Sequence, residues 1–383
     1  MARRRAGAPE RASPGRNEDE QGAAGDHARQ AIGDQQAAPP DRTGVAVNLS
    51  VILCTYNRAA SLARALRSLE SVQPLAGLAW ELVVVDNNSN DDTRAVVEAA
   101  TNRGVLPCRY VFEARQGKSH ALNTGIACAR ADVLAFTDDD VTFDAGWLRA
   151  VWKPFADPTC LGIAGQIIPA WTSPHPRWYS ETGPYALMTA IVRYEFGDQP
   201  KPVVQPPWGA NMAYRRAAFT RYGGFDPRFG PMANTLMRGE DTLFGRRVLA
   251  AGERLLYVPD AIVHHPVDRA RLRKRYFQDF YFQYGRMEVR MCPVPPTAVR
   301  WFGIPRYLLR PLLVDAMRWV TACTTRRRFF YRLECALMLG KIAEAWSPLL
   351  LAENTEAAHE PGGRDGGHPA QGSLRTLISL LGL

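Results

Sequence analysis

Paired cysteines are missing from this chain. Its seven cysteines, Cys54, Cys108, Cys128, Cys160, Cys292, Cys323 and Cys335, are scattered without a CxxC spacing, and their number is odd. That pattern argues against a disulfide framework or a cysteine zinc site, and it fits a reducing cytoplasm. A secretory leader is not expected either, because MARRRAGAPERASPG has basic residues with no apolar run behind them. Glycine signatures for nucleotides are incomplete. The GKS at Gly117 to Ser119 needs a glycine five positions before Gly117 to form a phosphate loop, and Phe112 stands there. No GxGxxG follows the first apolar run, which argues against a dinucleotide fold. Residues 1–46 have hardly a large apolar side chain, cannot bury enough surface to order themselves, and are expected to form a disordered tail.

Cations far outnumber acids in one region. Between Arg269 and Arg332, fifteen Lys and Arg stand against three acids, a local excess of +12, so the rest of the chain is at −3 within the total of +9. Basicity is therefore regional, and such a patch points to anionic lipid, nucleic acid or a phosphate-bearing substrate.

The chain between these regions alternates apolar runs with helical patterns. LSVILCTY reads as a buried strand, with Asn57 placed to cap the helix that follows. Glu81 to Val85 repeat the design and end at Asp86, before a helix over Asp92 to Ala100. Cys108 to Phe112 give a third strand, a helix follows Lys118, and VLAFTDDDV gives a fourth strand that opens into Asp138, Asp139 and Asp140. This rhythm is that of right-handed βαβ units, so a mostly parallel sheet is expected, with its acidic strand ends on one edge. Three adjacent carboxylates need a partner. A hard cation such as Mg²⁺ or Mn²⁺, shared with substrate phosphates, suits them, and a solvated acidic turn is the plainer alternative.

Prolines and aromatics fill Ile168 to Pro207, a segment suited to a binding loop or to packing. WGANMAYRRAAF reads as a strand running into a helix. Glu240 and Asp241 then open another helix, where acids complement the dipole or where one can act as a general base. RLLYVPDAIVHHPV reads as two short strands ending at His264 and His265, either of which can be structural or a metal ligand.

The blocks SVILCTYNR, VVVDNNSNDDT, GKSHALNTGI, FTDDDV, GANMAYRR, GGFD, RGED and VHH, in this order from Asn48 to His265, resemble a family 2 glycosyltransferase of the GT-A fold, bacterial and non-processive. The resemblance covers 218 residues. It implies an α/β Rossmann-like sheet and an inverting, metal-dependent transfer from a nucleotide-diphosphate sugar. It places Thr55, Tyr56 and Asn57 on the nucleotide wall, Asp86 on the nucleobase, and Lys118 and Asn123 along the sugar and diphosphate. Asp138 and Asp140 match the DxD acids for donor and Mg²⁺ or Mn²⁺, with Asp139 between them on the donor side. Asp241 matches the catalytic base, and His265 the histidine near the diphosphate and metal. The implied organisation is a disordered tail over 1–46, the catalytic domain over 47–268, a basic helical extension over 269–352 and a mostly disordered tail over 353–383.

In that extension RARLRKRYFQDFYFQYGR mixes cations with an aromatic face, and no run of about 20 residues is free of charge. The expectation is a peripheral helix on an anionic membrane surface at the inner face of the plasma membrane, or a helical subdomain packed on the core. The first reading would bring the cleft to a lipid-linked acceptor, and a saccharide acceptor is the alternative. The QxxRW block of processive relatives is absent, which implies transfer of one or a few sugars. A nucleotidyltransferase would share the acidic cleft but needs a glycine-rich signature after the first strand. A non-catalytic surface-binding protein would not need Asp138, Asp140 and Asp241, and the basic region resembles no nucleic-acid module.

Overall fold

Four runs rich in Val, Leu and Ile are apolar on both faces, which only a sheet covered on both sides accommodates. They form β1 (Leu49–Thr55), β2 (Trp80–Asp86), β3 (Cys108–Phe112) and β4 (Val133–Asp138), joined through helices α1 (Ala59–Glu70), α2 (Thr93–Asn102) and α3 (Lys118–Cys128). The computed structural model describes residues 46–357 except 74, 188–189 and 232–236, with side chains described up to 346. The expected tails over 1–46 and 353–383 lie outside these residues, except for Ala46 and for 353–357, which are helix.

The chain continues through β5 (Thr142–Phe143), α4 (Trp147–Trp152), β6 (Gly162–Trp171), β7 (Lys201–Pro202), β8 (Asn211–Arg215), α5 (Arg216–Tyr222), α6 (Glu240–Ala250) and β9 (Leu255–Val267). Strand order is β3-β2-β1-β4-β8-β6-β9-β5, with β7 also on β9. β1, β2, β3 and β4 are mutually parallel and β6 runs parallel to β9, while β8 is antiparallel to both β4 and β6. The result is the mixed, mostly parallel sheet expected of the GT-A fold. Register matters for function: Thr55 lies beside Asp86, and Cys54 beside Asp138, so the ends of β1, β2 and β4 open on one edge.

Two local readings are corrected. Asn57 does not cap α1. It sits at φ 50°, its Oδ1 accepts from the Asn90 amide at 2.8 Å, and Arg58 occupies the cap position. The Leu255–Val267 stretch is one strand of 13 residues, because β6 pairs with both of its ends, Leu255 to Val258 and Ile262 to Val267, across a register shift at Gly165/Gln166.

After β9 come α7 (Lys274–Met291), the hairpin β10 (Arg300–Trp301) and β11 (Ile304–Pro305), α8 (Arg306–Thr321) and α9 (Thr325–Ala357). The aromatic face of α7 meets protein. Phe277, Phe280 and Tyr281 are buried with Tyr179, Phe329 and Leu333 in a second core beneath the Pro/Trp segment. Trp178 lies edge-on to Phe277 at 5.1 Å and to Phe329 at 4.8 Å. Among the described residues no helix is long and apolar enough to cross a membrane.

Candidate active site

The ends of β1 and β4 and the first turn of α3 wall a hollow of about 260 Å³, and a second hollow of about 430 Å³ adjoins it. Thr55, Tyr56, Lys118, Asp138, Asp139, Asp140 and His265 all face the first hollow. Lys118, Asp138 and Arg238 face both, and Asp241 faces the second. Residues 138 and 241, a hundred positions apart, thus border one space.

The three acids are held differently. Asp138, at the end of β4, receives Lys118 Nζ at 2.6 Å. Asp139 is buried, and its carboxylate accepts from Thr55 Oγ1 at 2.7 Å and Arg58 Nη1 at 2.8 Å. Burial pushes its pKa up to about 6 against the pull of Arg58. For Asp140 burial is outweighed by His265, Arg271 and Arg58, which hold it down at about 2. Arg271 Nη2 reaches its Oδ2 at 2.8 Å and Arg58 Nη2 the same oxygen at 3.1 Å. These are not solvated acids.

Asp140 Oδ1 is buried with no hydrogen-bond donor, and His265 Nε2 stands 3.4 Å away. Burial lowers the His265 pKa to about 4 despite Asp140, so the ring is neutral at pH 7, and its nitrogens face Arg271 Nη1 at 3.1 Å. Hard carboxylate oxygens with unspent lone pairs beside a neutral imidazole fit Mg²⁺ or Mn²⁺. Among the described residues no three His, Cys, Asp or Glu already converge as a ligand set. Lys118 keeps its proton tightly, since burial is outweighed by Asp138 and Glu240.

Asp241 is fixed by main chain. Gly209 N donates to its Oδ2 at 2.7 Å, and Thr242 Oγ1 donates to Oδ1 at 3.1 Å. The neighbouring Glu240 is buried, and burial beside Asp241 raises its pKa. Trp208, Phe280, Tyr284 and Met287 give the second hollow an apolar wall.

Three expected residues are elsewhere. Asp86 is 2% exposed and does not wall the hollow; it accepts from Ser89 N at 2.9 Å and Tyr110 Oη at 2.8 Å, while the next residue, Asn87, does face inward. Asn57 is spent on the turn at Asn90. Asn123 staples Phe225, donating to its carbonyl at 2.8 Å and accepting from its amide at 2.9 Å. Conversely, Arg58, Arg238 and Arg271 line the first hollow without having been singled out. Arg58 is the last residue of the SVILCTYNR block, a visible signal. Arg271 was hidden in a basic run that reads as surface.

The chain is similar to several known proteins over part of its length. The family model described as Glycosyl transferase family 2 matches residues 50–223. A glucosyl-dolichyl phosphate glucuronosyltransferase of Haloferax volcanii is 23% identical over 249 residues, 63% of this chain and 76% of that protein. A validoxylamine A glucosyltransferase of Streptomyces hygroscopicus subsp. jinggangensis is 32% identical over 239 residues, 56% of this chain and 54% of that protein. A solved mannosyltransferase of Pyrobaculum calidifontis, in complex with GDP-Man and Mn²⁺, aligns over 93% of this chain and 86% of its own at 21% identity and a TM-score of 0.47.

Proposed function

The chain has a glycosyl transferase family 2 domain and is a glycosyltransferase, and on that premise we propose that it moves a sugar from a nucleotide-diphosphate donor to an acceptor hydroxyl, inverting the anomeric carbon, in polysaccharide or glycoconjugate assembly. One observation carries the reading: Lys118 and Asp138 border both hollows, so a diphosphate in the first would present its sugar to Asp241 in the second. The nucleoside lies against Thr55, Tyr56 and Asn87. Four cations, Arg58, Lys118, Arg238 and Arg271, face three carboxylates there, an excess that favours an anionic diphosphate.

Asp241 is the general base. Its carboxylate takes the acceptor hydroxyl proton, the freed electron pair bonds to the anomeric carbon, and the bond from that carbon to the diphosphate oxygen breaks with its pair on the leaving group. Lys118 and Arg238 meet the charge that gathers there. Asp138 and Asp140, with His265 beside them, would hold a Mg²⁺ or Mn²⁺ ion, which would add Lewis-acid stabilisation of the same charge. Gly209 N and Thr242 hold Asp241 in place, and the apolar wall keeps water from competing with the acceptor.

The acceptor is a saccharide or a lipid-linked saccharide, the class named for the Haloferax relative. Transfer takes place in the cytoplasm at the inner face of the plasma membrane, in keeping with seven unpaired cysteines. The test is release of nucleoside diphosphate from a panel of nucleotide sugars with Mn²⁺. Asp241→Asn is expected to lower kcat by about 10²–10⁴-fold with donor affinity nearly unchanged. Wild-type turnover by this variant would remove Asp241 as the base.

A further inference from the structure

Between the second core and the C-terminal helix the chain leaves an apolar surface uncovered. α8 is 16 residues long yet buries only Leu308. Leu313, Met317 and Val320 are 64%, 69% and 73% exposed. The β10–β11 hairpin beside it puts Trp301 at 55% and Phe302 at 96% exposure. Phe302 holds this position at φ 50°, in the left-handed region, where a bulky L-residue is strained and glycine or asparagine would sit easily. Hairpin and helix together border a shallow groove of about 710 Å³.

The rim of this surface is cationic. Arg306 and Arg310 are exposed on α8, and Arg326 and Arg328 are exposed at the start of α9. Among the described residues none of the four makes an ion pair with an acid, and Arg306 lies over the Trp301 ring at 5.7 Å. Exposed aromatics at a hairpin tip, a helix with an apolar side and unpaired arginines around both match the layered chemistry of a bilayer surface: acyl boundary inside, anionic phosphate outside.

We propose that the β10–β11 tip and α8 dock on an anionic lipid bilayer, with Trp301, Phe302, Leu313 and Met317 entering the interface and Arg306, Arg310, Arg326 and Arg328 on the headgroup phosphates. The surface is joined to the chemistry by packing: α8 packs on α9, α9 packs on α7, and α7 puts Phe280 and Tyr284 into the second hollow. None of the proposed docking side chains walls either hollow, so docking and transfer can fail separately.

Flotation of the full chain with vesicles tests this. Binding is expected to vesicles of phosphatidylcholine plus phosphatidylglycerol at low salt, and not to phosphatidylcholine alone. Trp301→Ala with Phe302→Ala should weaken binding at least tenfold, as should Arg306→Glu with Arg310→Glu. Both variants should keep the wild-type melting temperature and rate of donor hydrolysis, because the changed side chains are exposed. Asp241→Asn should float like wild type. Absence of binding, equal binding to neutral vesicles, or unaltered binding by both double variants would overturn the proposal. So would a lipid-free dimer lost in the double variants, which would give the face to a second copy, or binding seen only after deletion of residues 358–383, which would give it to that segment.

Discussion

Glu113 shows how a single buried carboxylate sets up the site from outside it. It is 3% exposed, and it accepts from Arg115 Nε at 2.9 Å, Arg115 Nη2 at 2.8 Å and Thr124 Oγ1. These bonds pin the loop that leads through Gln116 and Gly117 into α3, and so the position of Lys118. Hydrogen bonding by Arg115 lowers the Glu113 pKa from 4.5 to about 2 despite burial. A folded-state value below the unfolded one means stability that is fully present above pH 4.5 and is lost as pH falls toward 2. Because the Arg115 side chain is largely in solvent, the contribution is discounted to roughly 1–2 kcal/mol. Glu113→Gln should lower unfolding free energy by that amount at pH 7, and wild type and variant should converge as pH drops through this window. Denaturant unfolding at pH 7 and pH 3 checks it; a difference that persists unchanged at the lower pH would show that charge is not the cause.

Elements were legible where a pattern is local. The strands β1 to β4, α6 and the acids at strand ends all follow from apolar runs, because a strand's face and its end are fixed by its own sequence and by pairing register. Partners distant in the chain were not legible. Asn123 looks free until Phe225, a hundred residues on, takes both ends of its amide. Asp86 stands at its strand end as read, and the Tyr110 hydroxyl that its Oδ2 accepts from is visible only once β2 and β3 are paired. The aromatic face of α7 has the same amphipathic signature whether it meets lipid or protein, and the Pro/Trp segment decides in favour of protein. That packing has a tight point. A Cβ at Gly285 would overlap the Leu337 carbonyl of α9, and one at Gly340 would overlap the Phe282 carbonyl of α7. Glycine ordinarily weakens a helix by about 1 kcal/mol relative to alanine, so these two stand against propensity to let the backbones touch. Gly285→Val should therefore destabilise by about 1–3 kcal/mol or more and raise the acceptor KM through displaced Phe280 and Tyr284. Gly285→Ala separates the two forces: if the crossing were loose it would raise the melting temperature, and the close contact predicts a fall.

At the scale of the whole molecule, charge predicts the order in which the proposed ligands arrive. The first hollow sets Arg58, Lys118, Arg238 and Arg271 against Asp138, Asp139 and Asp140, with His265 neutral, so its balance is slightly positive. A divalent cation alone meets acids that already have cationic partners at 2.6 to 3.1 Å and a net field that opposes it. A nucleoside diphosphate reverses that field: it draws the arginines and lysine to its phosphates and supplies the oxygens that complete the cation's shell. Binding should then be synergistic. Mn²⁺ alone is expected to leave the melting temperature almost unmoved, UDP or GDP alone to raise it slightly, and the matching nucleotide with Mn²⁺ to raise it by roughly 5 °C or more at a hundredfold excess over Kd. Chelation by EDTA should return the curve to that of the nucleotide alone. Thermal melting in these four conditions settles the order, and a full shift with Mn²⁺ in the absence of nucleotide would mean that the acids release their arginines unaided and the charge argument fails.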